Sequence, residues 1–73
     1  SNWYWLANSD KLARKRAYED AINRYEAGVM NTFDFSQIKQ RYETAASDVV
    51  RAKFDYIFKI KVLEFYFGIT ISL

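Results

Sequence analysis

The sequence predicts an all-α chain folded as a long antiparallel α-helical hairpin, coiled-coil-like, with a short strand or extended tail at the C-terminus. Three observations carry that expectation. Proline is absent from the 73 residues and glycine occurs only at Gly28 and Gly68, so two long stretches contain no helix breaker. On both sides of Gly28, apolar residues recur every three or four positions among charged ones, the period of a helix with one buried face. Hydrophobic residues make up 51% and aromatics 19% of the chain, too much apolar side chain for a disordered segment. At this length one small domain, or a piece of a larger one, buries only a modest share of its surface, so a partner or a missing remainder is expected.

The first helix is expected over residues 3–28. Leu12, Ala13, Ala17, Ala21, Ile22 and Tyr25 supply its apolar face, and Lys15 with Glu19, Arg16 with Asp20 and Asp20 with Arg24 lie four apart, a spacing that stabilises an exposed face by about 0.2–0.5 kcal/mol per pair. Gly28 ends it, because glycine takes the left-handed conformation that closes a last turn, and Asn31 is the next best residue for that role. A turn over residues 29–33 follows. Asp34 with Gln37 fits a capping box, with Phe33 and Ile38 at the positions of a hydrophobic staple, and Thr32 is a rival N-cap.

The second helix is expected over residues 34–67. Its seam reads Ile38, Tyr42, Ala45, Val49, Ala52 and Tyr56, breaks at Lys59, and resumes at Leu63 and Tyr66. Beyond Val50 a second stripe opens through Phe54, Ile57, Phe58 and Ile60, so that end needs cover from something other than its hairpin partner. Folding the chain about Asn31 sets Ala17 and Ala21 opposite Arg41 to Ala45, and Trp3 and Trp5 opposite Tyr56 to Lys59. Over 68–73, Ile69, Thr70, Ile71, Ser72 and Leu73 alternate apolar and polar, the period of a half-buried strand.

The composition narrows function by what it lacks. Cysteine and histidine are both missing, which removes disulfides, thiolate nucleophiles, the common zinc ligands and the most frequent general base. The carboxylates Glu19, Asp20, Glu26, Asp34, Glu43, Asp48, Asp55 and Glu64 show no nucleophile signature beside them, and calcium-loop and phosphate-loop spacings are absent. No enzyme activity, cofactor or metal is expected. The net charge of +2 is slight, and the run Lys11, Arg14, Lys15, Arg16 is followed by Glu19 and Asp20, the look of a solvated helix face and not of a nucleic-acid footprint. The longest uncharged stretches are too short for a membrane-spanning helix of roughly 20 residues.

The run Tyr25-Glu-Ala-Gly28, a short turn, Phe33-Asp34-Phe35, Arg41-Tyr42 with Ala45 and Ala46, Arg51-Ala-Lys-Phe-Asp-Tyr-Ile-Phe58 and Leu63-Glu-Phe-Tyr-Phe-Gly68 resembles the C-terminal repeat of the TolC family of outer-membrane efflux proteins. The resemblance covers about Leu12 to Leu73. It implies one helical hairpin of the periplasmic barrel of a channel that sits in the cell outer membrane as a homotrimer. It further implies a tip, formed by Tyr25, Gly28, Val29, Met30, Asn31, Thr32, Phe33 and Asp34, that docks a periplasmic adaptor (membrane fusion protein) of an inner-membrane pump. Many members carry a basic residue just after the glycine; here Val29 to Thr32 are uncharged, so docking is expected through backbone and apolar contacts. Oligomer packing is expected through Ile38, Tyr42, Val49, Phe54, Tyr56, Ile57 and Leu63. The isolated chain is expected to hide its stripes by dimerising into a four-helix bundle. The alternative expectation is a self-associating coiled-coil scaffold or adaptor module with no transport role.

Overall fold

Gly28 divides the chain. In a computed structural model, which describes the backbone of residues 2–72 and the side chains of residues 3–69, helix α1 (Asn2–Glu26) and helix α2 (Thr32–Ser72) lie antiparallel on either side of it. No strand occurs among the described residues. The molecule is a rod of 68 × 16 × 12 Å, close to the roughly 60 Å that a helix of 41 residues spans.

Gly28 has φ of 77°, in the left-handed region, and closes α1 with a full Schellman motif. The amide of Val29 donates to the carbonyl of Arg24 (2.9 Å) and the amide of Gly28 to that of Tyr25 (3.1 Å), so these two carbonyls of the last turn of α1 are satisfied inside the turn. Entry into α2 differs from expectation. Asn31 is the N-cap: its Oδ1 accepts from the Asp34 amide at 2.8 Å, and its Nδ2 donates to Asp34 Oδ2 at 3.1 Å. Asp34 therefore sits at the third helical position, where its negative charge meets the positive end of the helix dipole, and is not itself the cap. With the cap at Asn31 the staple positions become Met30 and Phe35, both half-buried, while Phe33 is exposed.

The two helices meet along a narrow strip. Ala21, Ala45 and Val49 are the only buried residues among those described, at 0%, 3% and 8% exposure, and no charged or polar residue is buried. On α2 the contact follows the expected seam through Ile38, Tyr42, Ala45, Val49 and Ala52. On α1 it follows the expected face only in part: Ala21 and Ile22 lie in the strip as expected, joined by Ala7, Lys11, Arg14 and Tyr18, whereas Leu12, Ala13 and Ala17 are exposed. The helix is rotated so that Tyr18 and Tyr25 face α2, because two aromatic rings bury more area than two alanines and a leucine set off to one side. Lys11 and Arg14 then lay their aliphatic stems along the strip. The pairing of Tyr18 with Tyr42 and of Tyr25 with Phe35 centres the fold on Met30, one residue before the expected centre.

Surface ion pairs are local. Asp20 joins Arg24 at 2.8 Å, the acid-before-base order that suits the helix dipole, and so does not serve Arg16; the Lys15–Glu19 pair does not close. Asp10–Arg14, Asp48–Arg51 and Lys61–Glu64 complete the set among the described residues, all one helical turn apart and solvated.

The expected strand over 68–73 is helix as far as Ser72; Leu73 lies outside the described residues. A lone strand would leave a row of amides and carbonyls with no sheet to pair, whereas continuing α2 satisfies them within the segment. Gly68 does not take a positive φ, and a Cβ built on it meets nothing within 4 Å. The helices end unevenly. With the fold centred on Met30, Asn2 stands level with about Phe58, and α2 runs on alone for about fourteen residues, roughly 21 Å.

The surface measures that imbalance. A globular monomer of 73 residues exposes about 4,700 Å², and this chain exposes 6159 Å². The excess of about 1,400 Å² on one chain is more than the roughly 800 Å² that each partner contributes to a standard protein interface.

The two glycines therefore respond to alanine in opposite directions. Gly28→Ala forces a Cβ into the left-handed region and lowers stability by about 1–2 kcal/mol, whereas Gly68→Ala removes a flexible residue from an open helix and raises it by up to about 1 kcal/mol. Urea titration followed by circular dichroism checks both signs.

Candidate functional site

The tip is where side-chain bonds between the two helix ends concentrate. Tyr25 is held at both ends: its hydroxyl shares a hydrogen bond with Thr32 Oγ1 at 3.0 Å, and its ring stacks on Phe35 with centroids 4.5 Å apart and planes 16° from parallel. Phe35 in turn lies 5.9 Å from Tyr18, and Tyr18 stacks on Tyr42 at 5.5 Å. Tyr25, Phe35, Tyr18 and Tyr42 thus form one aromatic ladder crossing between the helices. Each such pair contributes about 0.5–1.5 kcal/mol beyond area burial. The ladder and the capped turn hold the tip backbone from below and from both sides.

The tip residues named from the sequence fall into two groups. Tyr25, Gly28, Asn31, Thr32 and Asp34 build the turn through ring stacking, left-handed backbone and capping bonds. Val29 and Phe33, at 72% and 69% exposure, form its apolar outer surface, and Met30 is half-buried beneath them. A rigid turn presenting one valine and one phenylalanine outward can seat against an apolar partner with little ordering cost.

The residues expected to pack against other protomers also divide. Ile38, Tyr42 and Val49 lie in the strip between α1 and α2. Phe54, Tyr56, Ile57 and Leu63 are all exposed and leave that surface free for a neighbour. Phe54, Phe58, Phe65 and Ile69 follow helical spacing on the side of α2 turned away from α1, so no adjustment of the hairpin covers them.

Toward the open end the helices line a groove of about 800 Å³ with the apolar and aromatic Trp3, Leu6, Ala7, Ala52, Tyr56, Ile60 and Leu63 and the charged Asp10, Asp48, Arg51, Asp55 and Lys59. Trp3 thus meets the expected Tyr56–Lys59 region, while Trp5 lies outside the groove and is exposed. A smaller groove of about 390 Å³ is lined by Asp10, Arg14, Gln37, Gln40, Arg41, Thr44, Ala45 and Asp48. No cluster of His, Cys, Asp and Glu able to hold a metal occurs among the described residues, and no described helix is long and apolar enough to cross a membrane.

Tyr18 and Phe35 are the tip-supporting residues that sequence reasoning passed over. A signal for them exists: Tyr18 stands seven residues before Tyr25, and Phe35 seven before Tyr42, so each pair shares a helix face.

The ladder predicts an unequal response on α1. Tyr18→Ala removes two ring contacts and costs about 2 kcal/mol, whereas Leu12→Ala, on the exposed side, stays within about 0.5 kcal/mol. Unfolding midpoints of the two variants in urea decide between this rotation of α1 and the one that buries Leu12.

No protein-family model matches the chain, and neither the curated proteins nor the solved structures contain a match to it.

Proposed function

We propose that this chain is a structural stave, a helical hairpin that works by packing side by side with other helices, and that its setting is the wall and periplasmic tip of an outer-membrane efflux or secretion channel of the TolC type. The observation that supports this most is the placement of apolar surface: Phe54, Phe58, Phe65 and Ile69 lie exposed on the side of α2 away from α1, where the hairpin's other helix does not reach. The ordered residue set from Tyr25 to Gly68 supplies the channel setting. In it, three protomers of the full-length protein pack through the exposed aromatics, and the capped turn with Val29 and Phe33 docks a periplasmic adaptor linked to an inner-membrane pump. The passage carries drugs, other small molecules or polypeptides, and the hairpin contributes shape and contact, without cofactor or catalysis. Removed from that wall, the chain pairs with a second copy of itself.

A second reading is a self-associating scaffold module with no transport role. It draws on the open end, where α2 is apolar on opposite sides; a tube wall covers a helix at its flanks and leaves one side polar toward the passage. The parent reading frame separates the two readings: a signal peptide and an earlier copy of this hairpin go with the channel, and a lone short frame with the scaffold.

The direct test uses the absence of cysteine. With Met30→Cys as the sole thiol in the full-length protein, a bifunctional cross-linker in intact cells is expected to capture a periplasmic adaptor. Capture of cytoplasmic proteins alone, or of no protein beyond the chain itself, contradicts the docking role.

A further inference from the structure

Each helix has a second regular face, on the side turned away from the strip that joins the hairpin. On α1 it runs through Trp5, Ser9, Leu12 and Arg16, at steps of four, three and four, and all four are exposed. On α2 it runs through Glu43, Ser47, Val50 and Phe54, at the same steps and equally exposed. Trp5 and Phe54 stand at 67% and 63% exposure. Neither Arg16 nor Glu43 makes an ion pair among the described residues. Both faces lie where the two helices run side by side, clear of the stretch of α2 beyond Phe58.

The two faces also match in height. Tyr18 packs beside Tyr42, so within the hairpin Trp5 stands level with Asp55 and Arg16 level with Thr44. A second copy set alongside with its tip at the same end lays the outer face of its α1 antiparallel on the outer face of this α2. One residue of slip, about 1.5 Å, then brings Trp5 to Phe54, Ser9 to Val50, Leu12 to Ser47 and Arg16 to Glu43. Toward the tip the same register brings Glu19 to Gln40 and Asn23 to Ser36, so no like charges meet along the contact.

We infer that the outer face of α2 docks the outer face of α1 of a second copy standing in the same orientation. Arg16 and Glu43 select the register. Sliding the copy by one helical turn sets Leu12 against Glu43 in one direction and Glu19 against Glu43 in the other, which desolvates a lone carboxylate or opposes two. The level register alone joins the opposite charges and brings the Trp5 and Phe54 rings together. Such a contact is heterologous: it leaves one outer face free on each copy, so it repeats into a ring or a row. The inference rests on the reading of this chain as an assembling stave but not on the channel setting, and it specifies which faces meet.

The test uses the whole chain. Sedimentation over a micromolar range is expected to show association that Arg16→Glu and Glu43→Arg each weaken about threefold to tenfold and that the double variant restores, with helix content by circular dichroism unchanged in all three. Because the chain has no cysteine, an oxidised mixture of Ser9→Cys and Val50→Cys chains is expected to give the mixed disulfide in excess over either symmetric one. A chain carrying both substitutions is expected to oxidise into a ladder of covalent multimers, since its two thiols stand on opposite sides of one hairpin, too far apart to join each other. Association that ignores both charge reversals, a double variant no better than the single ones, or symmetric disulfides in place of the mixed one overturns this arrangement and leaves the assembling stave standing. A monomer at every concentration overturns both.

Discussion

Two helices packed side by side can cover only one strip of each other, and that geometric limit governs this molecule. Three residues, two of them alanines, are all that the strip buries among those described; the rest of it is half-buried. Small residues let the helix axes approach closely but contribute little apolar area, since burial is worth about 25 cal/mol per Å² and an alanine has little to give. The aromatic ladder does what the alanines cannot, adding area and fixing how the helices are rotated and aligned. Everything else apolar is left outside, and most of it is concentrated at one end.

The two ends of the rod are consequently different materials. At the tip, the chain reversal is held by local bonds: Gly28 closes α1, Asn31 and Asp34 open α2, and Tyr25 bridges to Thr32 and rests on Phe35. Such a turn is rigid without outside help, and what it shows to a partner, Val29 and Phe33, is small and fixed. At the open end the reverse holds. The backbone is satisfied as helix while the side chains are not, so order there depends on what comes to lie against it. The hairpin is thus self-sufficient at its tip and carries most of its uncovered apolar surface at its base.

Much of this was legible in the sequence, because it follows from residues whose physics is local. Gly28 between two breaker-free stretches gives the hairpin, and the spacing of Ile38, Tyr42, Ala45, Val49 and Ala52 gives the buried side of α2. Three features were not legible for identifiable reasons. The rotation of α1 depends on what faces it: Leu12, Ala13 and Ala17 continue the stripe of Ala21 and Tyr25 as regularly as Tyr18 does, and only docking against Phe35 and Tyr42 decides between them. Asn31 serves equally well as a helix stop and as a helix start, and Gly28 had taken the first role. Alternation over Ile69 to Leu73 has the period of a strand, but periodicity is silent on whether a sheet is present to receive one, and without one the helix continues. Within the candidate site, the turn residues are legible one by one, while the ladder beneath them joins residues from both helices and emerges only when the two are laid together.

The central claim is that the chain cannot bury its own apolar surface and gains stability by associating. The most direct measurement is the thermal unfolding midpoint of the unmodified chain, followed by circular dichroism at 222 nm over a range of concentration of about a hundredfold. If folding is coupled to association, the midpoint rises steadily with concentration, by mass action on the assembled form. A cooperative transition whose midpoint stays fixed across that range would mean that the hairpin is sufficient to itself, and would contradict the account.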